Sequence, residues 1–260
     1  MRKSTWGWLA FSALVLGVWL YFTPPGLLGK ADAIAYAVCA RNPAHSPFLG
    51  SRQMPLCYRC TGMHLGTLLT LGVLAWRAPR RGGYPHGRVA GVLAALFAAF
   101  ALDGGNAFLT DWLHRPLLYP PNNILRLFTG LGMGIVIGAM LYAVAQQALW
   151  ANTHPEAALT PRRLRGLLLG AVLLGGLVLT GNPLVLYPVA LLTTADVVLV
   201  LGAIYSLFAL GVARRESQAH TWSELTNFFL AGFVIAMLQI GLMDWLRFHL
   251  THTWGPYPGL

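Results

Sequence analysis

Charge is what this sequence has least of. Only 10% of its 260 residues are Asp, Glu, Lys or Arg, and just 8 are acidic. A soluble domain carries roughly 25% charged residues, so a chain this poor in charge cannot clothe a water-facing surface. Cysteine is scarce as well, with three in all. That number excludes the two-pair relay of membrane disulfide generators. Internal repeats and clusters of mid-membrane charge are also missing, which argues against a transporter.

What is present is apolar. Hydrophobic residues make up 56% of the chain, and seven stretches approach the roughly 20 residues that span a bilayer. They are residues 5–22, 57–76, 88–109, 124–148, 164–180, 184–212 and 224–247. The expected fold is all-α: a polytopic transmembrane helix bundle of about seven spans, forming a single integral membrane domain over residues 1–260 with the bilayer as its partner. Arg2 and Lys3 before an apolar run, with Ala31-Asp32-Ala33 beyond, also fit a signal peptide. The length of that run favours an uncleaved first span. Gly181-Asn182-Pro183 is a turn signal that parts the fifth stretch from the sixth.

Basic residues set the expected topology. With the N-terminus cytoplasmic, every inner connection carries a cluster: Arg2 and Lys3; Arg77, Arg80, Arg81 and Arg88; Arg162, Arg163 and Arg165; Arg214 and Arg215. Lys30, Arg41, Arg52, Arg59, Arg115, Arg126 and Arg247 then fall outside, spread thinly over longer segments. This is the positive-inside pattern. It predicts a multi-pass cell-membrane protein with its C-terminus outside. The net charge of +10 lies in these short runs rather than along one stripe, which excludes nucleic acid as a partner.

The sharpest local signal is Pro55-Leu56-Cys57-Tyr58-Arg59-Cys60-Thr61-Gly62-Met63-His64, at the expected outer start of the second span. On a helix Cys57, Cys60 and His64 share one face. Arg59 and the helix N-terminus both favour thiolate there. Cys39 lies in the preceding outer loop with Arg41, His45, Arg52 and Gln53. Three readings stay open. Cys39, Cys57 and Cys60 with His64 or His45 form a ligand set suited to zinc. Cys57 and Cys60 also suit a membrane thiol–disulfide oxidoreductase. A structural disulfide pinning the loop is the third.

Two further groups face the same side. Asp103-Gly104-Gly105-Asn106 ends the third span, and Asn122-Asn123-Ile124-Leu125-Arg126-Leu127-Phe128-Thr129-Gly130 enters the fourth. An arginine inside a span must pair or bind an anion, and Asp103 is the nearest carboxylate expected for Arg126. Asp103, Arg126, Arg52 and Asn123 are therefore the candidates for catalysis on a lipid-embedded or anionic substrate, such as a lipid-linked phosphate at the outer leaflet. Asp196 is a relay or a helix–helix link, and Asp244 an interfacial anchor. Gly130, Gly132 and Gly134 suit close helix packing.

Together these motifs resemble a family of predicted membrane proteins, domain-of-unknown-function family 2085. The likeness rests on Cys39, on Arg52-Gln53-Met54-Pro55-Leu56-Cys57-Tyr58-Arg59-Cys60-Thr61-Gly62, on Asp103-Gly104 and on Asn123-Ile124-Leu125-Arg126-Leu127-Phe128-Thr129-Gly130. It spans roughly residues 36–140, leaving the helices over 164–247 outside. The chain departs from that pattern at Ala40, where the family carries His, and at His64, where it carries an aromatic. The resemblance implies a membrane fold and a grouping of these residues, and it implies no activity. The reading that leads is an outward-facing site for a transition metal, Zn2+ foremost, with its enzymatic status open.

Overall fold

The computed structural model describes residues 3–256; Arg2, one of the expected inner charges, lies outside them. Among the described residues the chain forms α1 (Lys3–Phe22), α2 (Leu27–Val38), α3 (Tyr58–Arg77), α4 (Gly87–Leu113), α5 (Asn123–Leu149), α6 (Pro161–Leu179), α7 (Pro183–Val212) and α8 (Trp222–Thr251). Two short ribbons complete it. β1 (Phe48–Leu49) pairs antiparallel with β2 (Arg52–Gln53), and β3 (Arg81–Gly83) pairs parallel with β4 (His154–Ala157).

Each long helix matches one of the apolar stretches, and three of their starts, those of α5, α6 and α7, carry side-chain caps. Asn122 accepts from the Leu125 N–H, Thr160 from Arg163, and Asn182 from Leu184. Pro161 and Pro183 occupy the first helical position of α6 and α7, where a missing N–H costs nothing. Five helices, α1, α4, α5, α7 and α8, are long and apolar enough to cross a membrane. α3 and α6 have the length of spans but carry more polar residues: Arg59, His64 and three threonines in α3, and three arginines in the first turns of α6. The fold is thus an all-α, membrane-type bundle.

α2 falls where the sequence reading expects a loop. At 12 residues it is only about 18 Å long, too short to span. Its alanines favour helix, and its buried residues, Gly29, Ala33 and Tyr36 on one side and Ala31 and Ala35 on the other, show that it is enclosed on both sides where it packs with α7 and α8.

α5 is the hub, packed against α3, α4, α6 and α7, and its contact with α3 is the most extensive in the molecule. Glycine makes that contact possible. A Cβ on Gly62 would strike the Leu127 carbonyl, and one on Gly134 would strike that of Met63. Close approach through small residues is the usual basis of helix pairing in lipid. Thr67 adds a bond across the seam, its Oγ1 donating to the Gly134 carbonyl at 3.3 Å.

The two ends of the bundle differ in character. One gathers arginine: Arg80 donates to the His220 carbonyl, Arg163 to those of Ala158 and Arg77, and Arg81 pairs with Glu156. The other end gathers α2, the 39–57 segment, the α4–α5 link and the turn after α8. It also holds all three cysteines.

Candidate metal centre

The cysteine cluster is assembled from two chain segments. Cys57 is the residue before the first turn of α3, and Cys60 lies one turn in. Met54 and Leu56, both with 0% exposure, anchor the approach to that turn. Cys39 directly follows α2, its N–H still bonded to the Ala35 carbonyl at 2.8 Å.

Arginines hold the Cys39 segment in place. From α8, Arg247 reaches the carbonyls of Tyr36 and Cys39, each at 2.6 Å, and that of Ala40 at 3.1 Å. Its guanidinium also lies over the Tyr36 ring. Arg41 adopts a left-handed φ of +58°, costly for a residue with a Cβ. It is fixed there by Asp32 at 2.8 Å and by the Trp254 carbonyl at 2.9 Å. Arg52 closes on the other oxygen of Asp32 at 2.6 Å. Gln53 then donates to the Arg41 carbonyl and to Ser46 Oγ, tying the β1–β2 ribbon to the loop. Burial raises the Asp32 carboxyl above its usual value, and the two arginines pull against that shift.

The outcome is that the Sγ atoms of Cys39, Cys57 and Cys60 all lie within 4.8 Å of one another. All three are free thiols, so the loop is pinned by hydrogen bonds and ion pairs. Cys39 also accepts from the Arg41 N–H at 3.4 Å. Bonds from the Cys57 and Cys60 thiols hold Cys39 well below the ordinary thiol range, although burial opposes them. A tetrahedral zinc with Zn–S near 2.3 Å spaces its sulfurs by about 3.8 Å. The cluster therefore needs to close by about 1 Å at most to fit that ion.

Neither candidate imidazole lies within the three-thiol group. His64 is engaged elsewhere: its Nδ1 bonds to Asp196 Oδ2 at 2.8 Å, a buried link between α3 and α7. Of the two roles weighed for Asp196, the helix–helix link is what the structure shows. His45 sits in a 3-10 turn over Pro43–His45. Partial burial and the positive charges of Arg126 and Arg59 push its pKa down, while Asp111 and Cys39 pull against that shift.

Beside the cluster lies a second network. Asp103, 1% exposed, accepts from Arg59 at 2.6 Å, from Tyr119 Oη at 3.0 Å and from Thr129 Oγ1 at 3.2 Å. The expected partner for Asp103 was Arg126; Arg59 takes that place, its guanidinium reaching from the first turn of α3 to both the carboxylate and the carbonyl of Asp103. Arg126 is buried and donates to Asn123 Oδ1 at 3.2 Å. Asn123 in turn donates to the Ala44 carbonyl, joining the start of α5 to the loop that carries His45. Asn106 secures the α4–α5 link through Leu118 and Tyr119.

Three residues central to this architecture escaped the sequence reading as site members: Asp32, Tyr119 and Arg247. Asp32 stood inside a small-x-small triplet that reads as a cleavage site. Arg247 is 208 residues from the carbonyl it holds, a distance at which no local pattern signals a contact.

Fold and site together define an integral membrane protein whose three cysteines meet at one end of a helical bundle. The family model described as Predicted membrane protein (DUF2085) matches residues 39–140, the stretch that contains all three cysteines, Arg59, Asp103 and Arg126. Neither the curated proteins nor the solved structures yield a match.

Proposed function

We propose that this protein is a multi-pass cell-membrane protein holding a zinc ion through Cys39, Cys57 and Cys60 on the outward face of the bundle. The observation that carries the reading is the convergence of three free thiols within 4.8 Å from two separate segments. Sulfur-rich tetrahedral sets select zinc among the common divalent ions. His45 is the imidazole that we assign as fourth ligand, carried by the short turn over Pro43–His45, whereas Asp196 engages His64. Three thiolates and Zn2+ leave one negative charge, and the buried guanidinium of Arg126 and that of Arg41 stand ready to offset it. Residues 36–140 form the site and the helices over 164–247 buttress it, within one domain over 1–260.

The outward orientation and the count of seven spans rest on the charge pattern. The clusters Arg77–Arg88, Arg162–Arg165 and Arg214–Arg215 fall in the connections away from the cysteines, a distribution that supports an inner face there under the positive-inside rule, and in this reading α3 and α6 cross the bilayer in the company of the five more apolar helices.

One experiment tests orientation and metal together. Intact cells are treated with a membrane-impermeant maleimide, with and without prior chelation. Labelling of Cys57 and Cys60 without permeabilisation, accelerated at least tenfold by the chelator, is the expected result. Labelling that requires permeabilisation overturns the orientation. A rate indifferent to chelation overturns the metal.

A further inference from the structure

Away from the cysteines, α1 and α8 flank a half-open cleft of about 720 Å³. Its walls are apolar, with Leu14, Val18 and Phe22 from α1 facing Leu238 and Leu242 from α8. Trp19, Trp245 and Trp254 line it too. One charged residue interrupts this lining. Asp244 is 3% exposed, and its Oδ2 accepts from Trp19 Nε1 at 3.1 Å. Its other oxygen, Oδ1, is buried and has no hydrogen-bond partner. Arg247, one turn further along α8, attracts Asp244 electrostatically, but the hydrogen bonds of its guanidinium include those to the carbonyls of Tyr36, Cys39 and Ala40 and none to Oδ1.

A buried acceptor left without a donor keeps the full cost of its desolvation, and that cost is greater if it is charged. In a lipid-facing cleft, water is a poor remedy. What such a site lacks is a donor, and a positive one serves best. A cation satisfies the carboxylate and is also attracted to tryptophan faces. The apolar walls ask for a hydrocarbon body behind that head. An alcohol would bring the donor without the charge, and a carboxylate or phosphate would meet like charge at Asp244.

We propose that the α1–α8 cleft binds a membrane-soluble primary amine, with its ammonium on Asp244 Oδ1 and its hydrocarbon chain between the two helices. The tryptophans supply the readout. The full-length protein is placed in phosphatidylcholine nanodiscs and titrated with a twelve-carbon amine carrying a nitroxide at its tail. The corresponding nitroxide-labelled alcohol is titrated in parallel.

Saturable quenching of tryptophan fluorescence is expected, with the amine half-saturating at a concentration at least tenfold below the alcohol. Asp244→Asn, which keeps an acceptor for Trp19, should erase that preference. Leu238→Trp fills the cleft without touching Asp244 and should abolish saturable quenching by either ligand. Equal half-saturation of the wild-type protein by amine and alcohol overturns the proposal, as does a preference that survives in Asp244→Asn. Adding phosphatidylethanolamine to the nanodisc identifies the source: competition at millimolar or lower amounts assigns the ammonium to a lipid headgroup, and its absence to a free amine.

Discussion

Replacing Cys57 with serine is expected to strip the protein of metal while leaving its fold in place. A hydroxyl is a far poorer zinc ligand than a thiolate at neutral pH. Losing one of three sulfurs should weaken binding by about 100-fold or more, a difference of about 2.8 kcal/mol. Elemental analysis of protein purified under reducing, chelator-free conditions should fall from near one zinc per chain to a small fraction of that. The substitution is unusually clean because of where Cys57 sits. It is the N-cap residue of α3, and its side chain makes no capping bond. Serine is among the preferred N-cap residues, so the helix start gains a potential acceptor as the site loses its ligand. An unchanged melting temperature of the metal-free protein beside lost metal would separate chemistry from folding.

The second large effect is expected at Gly134. A leucine there would drive its Cβ into the backbone carbonyl of Met63, and a carbonyl held inside α3 cannot swing aside as a side chain would. The two helices must part. Overpacking commonly costs 1–3 kcal/mol, and a clash with backbone belongs at the top of that range, about 3 kcal/mol. In a thermal melt of detergent-solubilised protein this should appear as a fall of about 10 °C. Gly176→Leu is the matched control, because a Cβ at Gly176 meets nothing within 4 Å and leucine is the better helix former. Separation of α3 from α5 also unsettles Arg59 and Cys60, so Gly134→Leu should lose zinc affinity along with stability.

The long helices were legible because each carries its signal within its own sequence. An apolar run of the right length, opened by Asn122, Thr160 or Asn182, is a local fact that tertiary structure has little reason to overrule. α2 was not legible. Its helix rests on alanine and glycine packed against α7 and α8, and Lys30 and Asp32 disguise it as loop.

The site divides the same way. Cys57 and Cys60 share a helix face by spacing alone. The arrival of Cys39 depends on Arg247 and on the Asp32–Arg41–Arg52 triad, which only the folded chain brings together. Arg59 shows the limit most plainly. Its place between two cysteines suggested a stabiliser of thiolate, yet its guanidinium is committed to Asp103 on α4. Arg126, the residue expected there, is left with Asn123. His64 carries the same lesson: periodicity put it on the cysteine face, but Asp196, 132 residues away, claims its ring.

X-ray absorption at the zinc K-edge of the purified, zinc-loaded protein tests the metal centre most directly. Three sulfur scatterers near 2.3 Å and one nitrogen at about 2.0–2.1 Å are the expected first shell. A shell of nitrogen and oxygen alone, without sulfur, would contradict a centre built on Cys39, Cys57 and Cys60.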